Sequence, residues 1–296
     1  MKIGALIVLY NPDPKSIEEA IGRLLAQVDI VCLIDNSNVT HEQYFGNKER
    51  LHYIPLMGNK GIAAAQNIGI RHMKESGMDF VLFSDQDSLC DERLVGRLIE
   101  SYTLLEENNY KVATIGPVPI NKKTGKPYIT RQNIIQRIEL FGHHFSQMYS
   151  VISSFSLTRL STFDTIGLFD EELFIDGVDN EWGWRAKERY GFDSFIAEEL
   201  SFQHYQGIDT GLPIKKSSPF RLYYQFRNYF ILTKRSYTPS FWKRRNFLMY
   251  GLKAIVYPLF FAPRWQYLKS IVKGLRDGIK LLIQTTNDNN STSIHI

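Results

Sequence analysis

Apolar runs alternate with stretches of helical period along the first 118 residues. Ile3-Gly4-Ala5-Leu6-Ile7-Val8-Leu9 is continuously apolar, the mark of a strand covered on both faces. Asn11-Pro12-Asp13-Pro14 breaks the run and starts a helix, with Asp13 as its cap and Pro14 at the first helical position. Ile17, Ala20, Ile21, Leu24 and Leu25 then recur with helical spacing. Ile30 to Ile34, Leu51 to Leu56, Phe80 to Ser84 and residues 112–118 predict four more strands. Between them the pattern predicts helices from Ile62 to about Glu75, stopped by Gly77, and from about Asp91 to Glu107. Residues 119–147 are less regular, with a hairpin tip at Asn121 to Pro127, and Phe141-Gly142-His143-His144-Phe145 reads as a loop or rim. Phe195 to Ala197 and Leu200 to His204 predict two further short strands.

Strand alternating with helix implies an α/β fold with a mostly parallel sheet and helices on both faces. In such sheets ligands sit beyond the carboxyl ends of the strands. Polar clusters fall at those ends: Tyr10-Asn11, Asp35-Asn36-Ser37, Asn59-Lys60 and Ser84-Asp85-Gln86-Asp87. One polar exit is a turn; four facing one crevice form a site. Asp85 and Asp87, separated by one residue, suit a hard divalent cation, which takes oxygen ligands and is often completed by substrate phosphates. The plain alternative is that the pair caps the following helix. Gly58-x-x-Gly61 lacks the Gly-x-Gly-x-x-Gly spacing and no Gly-Lys-Ser/Thr is present, which excludes a Rossmann cofactor loop and a P-loop. Gly61 instead allows the backbone to approach a ligand closely, with Lys60 near a phosphate.

Farther on, Phe163 to Glu171 leads to Asp176-Gly177-Val178-Asp179-Asn180-Glu181-Trp182-Gly183-Trp184-Arg185, three carboxylates set among Phe, Ile, Val and two Trp ahead of an amphipathic helix. A carboxylate at such a helix start is a candidate general base, because an apolar wall tunes its proton affinity. Asp179 is the candidate, with capping of the helix as its plain alternative; Glu181 fits an i,i+4 pair with Arg185. His204, at a strand end, is either a surface residue or a ligand. Arg221-Leu222-Tyr223-Tyr224-Gln225-Phe226-Arg227 interleaves cations with aromatics, as a snorkelling amphipathic helix or as phosphate and sugar contacts.

Composition narrows the class. Of 296 residues, two are cysteines, Cys32 and Cys90, with no metal-ligand spacing, which excludes a zinc finger or disulfide scaffold. Residues 1–8 are too short and β-branched for a signal peptide, so a cytoplasmic location is expected. The net charge is +4, but residues 233–281 hold eleven Lys or Arg against one acid, Asp277, leaving 24 basic and 30 acidic residues elsewhere. That asymmetry points to an anionic partner. Residues 241–285 add Trp242, Phe247, Leu248, Leu252, Ile255, Phe260 and Trp265, while Lys253 and Pro258 interrupt the longest apolar stretch. A transmembrane helix fits poorly; helices lying on the inner face of an anionic membrane fit better, and a bundle or homo-oligomer interface is the alternative. The expected division is a catalytic domain over 1–232, a basic amphipathic segment over 233–286 and a disordered tail over 287–296, with no nucleic-acid partner.

Taken in order, these motifs resemble the family 2 inverting glycosyltransferases, and within them the bacterial rhamnosyltransferases that use a dTDP-rhamnose donor. Tyr10-Asn11, Asp35-Asn36-Ser37, Asn59-Lys60-Gly61 through Asn67, Ser84-Asp85-Gln86-Asp87 and Asp179-x-Glu181-Trp182 carry the resemblance, and His204-x-x-Gly207 and Arg221-x-Tyr223-Tyr224-x-x-Arg227-Asn228 resemble later motifs of that subgroup. It implies a GT-A fold and a Mg²⁺ or Mn²⁺ ion held by Asp85 and Asp87, with His204 assisting. It also implies a nucleobase contact by Asp35, a nucleotide pocket lined by Asn59 and Lys60, Asp179 as base, and Trp182 or Trp184 as an apolar platform for the acceptor sugar. Val178 stands where many relatives carry the Glu of a Glu-Asp pair, a departure shared with the rhamnosyl-type pattern. The implied reaction moves L-rhamnose onto a glycan or lipid-diphosphate-linked glycan in bacterial surface polysaccharide synthesis. A UDP-sugar donor, a sugar-nucleotide-binding scaffold without turnover and a receiver-like phosphoacceptor domain are the competing readings.

Overall fold

The computed structural model describes residues 1–46, 48–204 and 216–292, with side chains through 283. Gly207, the last position of the His204-x-x-Gly207 motif, and residues 293–296 lie outside the described residues. In chain order the elements of the first part are β1 (Ile3–Leu9), α1 (Pro14–Leu25), β2 (Ile30–Asp35), α2 (Glu42–Phe45), β3 (Leu51–Pro55), α3 (Ile62–Glu75), β4 (Phe80–Asp85), α4 (Leu94–Glu107) and β5 (Val112–Asn121). Then come β6 (Ile134–Leu140), β7 (His143–Met148), β8 (Leu157–Arg159), α5 (Thr162–Ile166), α6 (Val178–Tyr190), β9 (Asp193–His204), α7 (Pro219–Lys234), α8 (Ser240–Phe260) and α9 (Arg264–Thr292).

Nine strands form one sheet in the order β3-β2-β1-β4-β8-β5-β9-β7-β6. The first four in that order run parallel, as the alternating pattern predicts, and β1, β2 and β4 are buried almost throughout. Asp13 caps α1, its carboxylate accepting from Lys15 N, with Pro14 next to it. Beyond β4 the sheet is mixed, because β8 is antiparallel to both β4 and β5 and β7 is antiparallel to β9. This is the α/β architecture of a GT-A fold followed by C-terminal helices.

Two local expectations change. Residues 141–145 are not a loop: β6 and β7 form a hairpin whose two-residue turn, Phe141-Gly142, has φ of +50° and +83°. Positive φ at both positions matches the twist of the flanking strands. The hairpin ends the sheet, so β6 keeps only Ile134, Ile138 and Leu140 toward the core edge, too weak an alternation to read. The two short strands expected near 200 are one, β9, paired in parallel with β5. Register slips where Pro117 faces Ala197 and Val118 faces Ser201, so three residues of β9 have no counterpart. Pro117 and Pro119 have no N–H to give, and a slip is tolerated there.

The chain divides into two compact units. The first holds the sheet with α1 to α6. The second holds Ile175–Gly177 and the described residues from 216 onward. Its core is Leu222, Phe226, Tyr257, Tyr267 and Ile271, from α7, α8 and α9. The apolar face of α7 is spent on α8 and α9, which groups α7 with them. Gly274 and Gly278 make the α7–α9 approach possible: a Cβ there would come within 2.6 Å of the Tyr223 carbonyl and 2.6 Å of the Phe230 ring. The α9 backbone runs to Thr292, into the segment expected as a tail from Asn287. Among the described residues no helix is long and apolar enough to cross a membrane.

Candidate functional site

The β1 exit is the centre of the site. Leu9 lies beside Asp35 of β2 and Val8 beside Asp85 of β4, so two acidic strand ends flank Tyr10-Asn11. Side chains then tie the three exits together. Ser37 Oγ accepts from Asn11 N at 2.8 Å, and Gln86 Oε1 accepts from Tyr10 N at 2.8 Å. Asn11 takes the left-handed region, φ +46°, which Asn tolerates better than most residues. Tyr10 is left 47% exposed at the rim.

Asp35 is buried, and both its oxygens are engaged. Oδ1 accepts from Ser37 N at 3.0 Å, while Oδ2 meets His41 Nδ1 at 2.7 Å and accepts from Tyr53 Oη at 2.6 Å. Burial alone would raise its proton affinity, but hydrogen bonds from Ser37, Tyr53 and His41 outweigh burial and hold it below the ordinary carboxylate value. Placed so, Asp35 is the hub that fixes Ser37, His41 and Tyr53.

The loop between β3 and α3 is fastened to the same exit. Asn36 Oδ1 accepts from Lys60 N at 2.7 Å, Asn36 Nδ2 donates to Asn59 Oδ1 at 3.1 Å, and Asn59 Oδ1 accepts from Gly61 N at 3.0 Å. Lys60 turns its side chain to solvent. Gly61 has φ +87° and ψ 160°, a region essentially restricted to glycine. Its close approach is to Phe174, not to an open ligand space: a Cβ would lie 2.7 Å from the Phe174 carbonyl oxygen. Gly61→Ala is therefore expected to cost about 2 kcal/mol of stability, read as a lower urea midpoint with unchanged slope.

Asn67, expected in the nucleotide pocket, joins α3 to the segment after α5. It is 1% exposed, donates to the Phe169 carbonyl at 2.9 Å and to Glu171 Oε1 at 2.9 Å, and accepts from Phe169 N at 3.0 Å. Its amide clips residues 169–171 onto α3. Trp182 is 3% exposed, its indole donates to the Gly167 carbonyl at 2.8 Å, and it packs on Phe163 and Phe169, while Trp184 is 1% exposed. Glu181, fully buried, pairs with Arg185 at 2.9 Å as the i,i+4 spacing predicts.

Of the expected metal ligands, Asp85 and His204 come together, with His204 Nδ1 3.8 Å from Asp85 Oδ2. Asp87 is exposed beyond the strand end, and no group of three or more His, Cys, Asp or Glu converges among the described residues. The donor set still fits a hard cation, which commonly takes one or two protein ligands and completes its shell with phosphate and water. Ser84, buried, donates to the Asp85 carbonyl at 3.2 Å.

Asp179, in the first turn of α6, accepts from Ser153 N at 3.1 Å and from Ser153 Oγ at 3.2 Å. The segment carrying Ser153 is fastened to β4: Phe83 N donates to the Ser156 carbonyl at 2.9 Å and Phe155 N to the Phe83 carbonyl at 2.7 Å. Phe83, Ser153, Ser156 and Asp179 share a small cavity of about 20 Å³, room for a single water. Two residues after Phe83, on the same strand, comes Asp85. Arg221 and Arg227 lie in the second unit. There Arg221 forms a two-pronged ion pair with Asp176, and Arg227 donates to Asn228 Oδ1 at 2.8 Å and stands over the Tyr224 ring.

His41, Tyr53 and Ser153 went unread in the sequence. Tyr53 is in a strand with nothing local to mark it, and Ser153 is 26 residues from its partner in a serine-rich run. His41, six residues past Asp35, carried the faintest local signal.

The profile of glycosyl transferase family 2 matches residues 5–167. The dTDP-rhamnosyl transferase RfbF of Shigella flexneri is 31% identical to the chain, the match covering 94% of this chain and 95% of that protein. Among solved structures, S. aureus TarS 1–349 in complex with UDP-GlcNAc superposes with a TM-score of 0.53 at 16% identity, covering 95% of this chain and 84% of that 1–349 chain. GalNAc-T7 with UDP, GalNAc and Mn²⁺ gives 0.54 at 14% identity, over 84% of this chain and 54% of that one. The two structural likenesses establish the fold.

Proposed function

The chain belongs to glycosyl transferase family 2, and on that premise we propose that it transfers L-rhamnose from dTDP-rhamnose, with inversion, to a glycan or lipid-diphosphate-linked glycan of bacterial surface polysaccharide synthesis. The donor rests on the RfbF likeness, which extends over nearly the whole of both chains. The observation that carries the chemistry is Asp179, held by two hydrogen bonds from Ser153 in the segment zipped to the Asp85-bearing strand.

Asp179 takes the proton of the acceptor hydroxyl as its oxygen bonds to the anomeric carbon, and the nucleoside diphosphate departs with the electron pair of the broken bond. A single in-line displacement places acceptor and leaving group on opposite faces of the sugar, which inverts the centre. Asp85 and His204 would hold a divalent cation, with Asp87 near; when bound, such an ion neutralises charge on the leaving diphosphate. Tyr10, Asn11, Asn59 and Lys60 line the nucleotide side, where Lys60 meets phosphate. Asp35 acts one step back, holding His41, Tyr53 and Ser37.

A donor panel tests the reading. Purified full-length protein is incubated with dTDP-rhamnose and UDP-sugars, Mn²⁺ or Mg²⁺ and lipid-linked acceptors, and products are followed by mass spectrometry. Deoxyhexose transfer from dTDP-rhamnose, absent with the UDP-sugars, is expected. Transfer from a UDP-sugar alone would reassign the donor, and nucleotide binding without transfer to any acceptor would leave a scaffold.

A further inference from the structure

The second unit turns apolar side chains outward. On α8, Leu248, Leu252, Ile255 and Leu259 follow i, i+4, i+7, i+11 spacing and are 71%, 41%, 61% and 57% exposed, on the side of the helix away from the buried Tyr257. Phe247 and Phe260 flank that stripe, and Arg244 and Arg245 are exposed at its N-terminal end. On α9, Tyr267, Ile271, Gly274 and Gly278 face the interior of the bundle. The opposite stripe, Trp265, Lys269, Val272, Arg276, Ile279 and Ile283, is exposed along its whole length and alternates apolar with cationic side chains. Part of it forms an open groove of about 430 Å³ lined by Trp265, Leu268, Lys269, Val272, Lys273 and Arg276. Lys269 stands over the Trp265 ring at 5.8 Å, so cation and indole reach the surface together.

Water is a poor partner for such faces, and exposed apolar surface on this scale marks an interaction site. Charge identifies the occupant. Residues 233–281 hold eleven Lys or Arg against one acid, and of these Arg244, Arg245, Lys269, Arg276 and Lys280 are exposed on the same two helices as the apolar stripes, which gives that surface a positive field. Trp, Phe and Leu beside Lys and Arg suit the boundary of a bilayer, where rings and aliphatic chains enter the acyl region and cations reach phosphate. We propose that the outward faces of α8 and α9 lie on an anionic phospholipid bilayer, in its interface and without crossing it. The surface is independent of the sugar-transfer site: failure here leaves the transferase reading standing.

Full-length protein is sedimented with extruded vesicles of phosphatidylcholine alone or with 30 mol% phosphatidylglycerol (roughly physiological charge density), at low and high salt. Binding is expected to the anionic vesicles, weaker on pure phosphatidylcholine and reduced by salt. Each cation near such a surface contributes about fivefold in partitioning, so Arg244→Glu with Arg245→Glu should weaken binding by well over tenfold. Leu248→Asp with Ile255→Asp should weaken it comparably at either salt, with helicity by circular dichroism and dTDP binding unchanged. Should that apolar pair lose helicity, Lys269→Glu with Lys280→Glu decides instead: lost sedimentation supports the proposal. Wild-type protein that stays in the supernatant with anionic vesicles overturns it. So does sedimentation indifferent to every pair while light scattering shows the apolar variant converting a dimer to monomer, which makes the face an interface between copies.

Discussion

Asp179→Asn should abolish sugar transfer while leaving the donor nucleotide bound. General-base contributions run about 10² to 10⁴-fold, so a loss near 10³ in turnover is expected, ~4 kcal/mol of transition-state stabilisation. The amide is nearly isosteric: its oxygen can still accept from Ser153 N, and its NH₂, standing where the oxygen met by Ser153 Oγ was, can donate to that hydroxyl once it turns. The side chain stays in place and only its capacity to take a proton is gone. Stability and the affinity for dTDP, followed by calorimetry, should therefore change little. A structural role for Asp179 would produce the opposite pattern: a lowered melting temperature with activity falling only in proportion to folded protein. Ser153→Ala removes one of the two bonds and leaves the main-chain donor, so a reduction of roughly tenfold or less is expected, in keeping with one neutral hydrogen bond of about 1 kcal/mol. An Asp179→Asn protein that keeps more than a tenth of wild-type turnover would exclude this residue as the base.

The parallel half of the sheet and its polar exits were legible because their determinants are local. A buried strand is a run of apolar residues, a helix start is Asp13-Pro14, and a strand exit is a polar cluster after such a run. Asp85 and Asp179 could be named for the same reason, each standing where apolar sequence gives way to carboxylates. What stayed hidden depends on partners distant in the chain. Asn67 has the sequence context of a pocket residue, yet its amide is consumed 102 residues away by Phe169. Trp182 has the composition of a sugar platform, but Phe163 and Phe169 enclose it and Gly167 takes its N–H. Gly61 invites a ligand on the page and meets Phe174 in the fold. The β6–β7 hairpin went unread because an outermost strand buries one face only in part, and β9 was divided because its ladder slips opposite Pro117. Such cases share one cause: burial decides whether a polar or aromatic group has contact to spare for a substrate, and burial is a property of the assembled sheet.

Asp35→Ala should destabilise the protein by about 3 to 5 kcal/mol, more than any other single change at the strand exits. The carboxylate is 1% exposed, and removing it takes away the group that the Tyr53 hydroxyl, the Ser37 N–H and the His41 ring all meet. Orphaning one member of a buried ionic or hydrogen-bonded set costs far more than the set contributes net, because the stranded groups keep their desolvation penalty. The pH dependence has a definite sign. Hydrogen bonds from Ser37, Tyr53 and His41 hold the folded-state proton affinity of Asp35 below its unfolded value, so this carboxylate stabilises the fold at every pH above the unfolded aspartate value, ~3.9. That contribution is lost as pH falls through the lower, folded-state value. The gap in stability between wild type and Asp35→Asn, taken from urea melts, should be constant from pH 7 down to roughly 5 and shrink below 4. A gap that instead widened on acidification would mean the folded state prefers the neutral acid, and the hydrogen-bonded hub at the end of β2 would be misassigned.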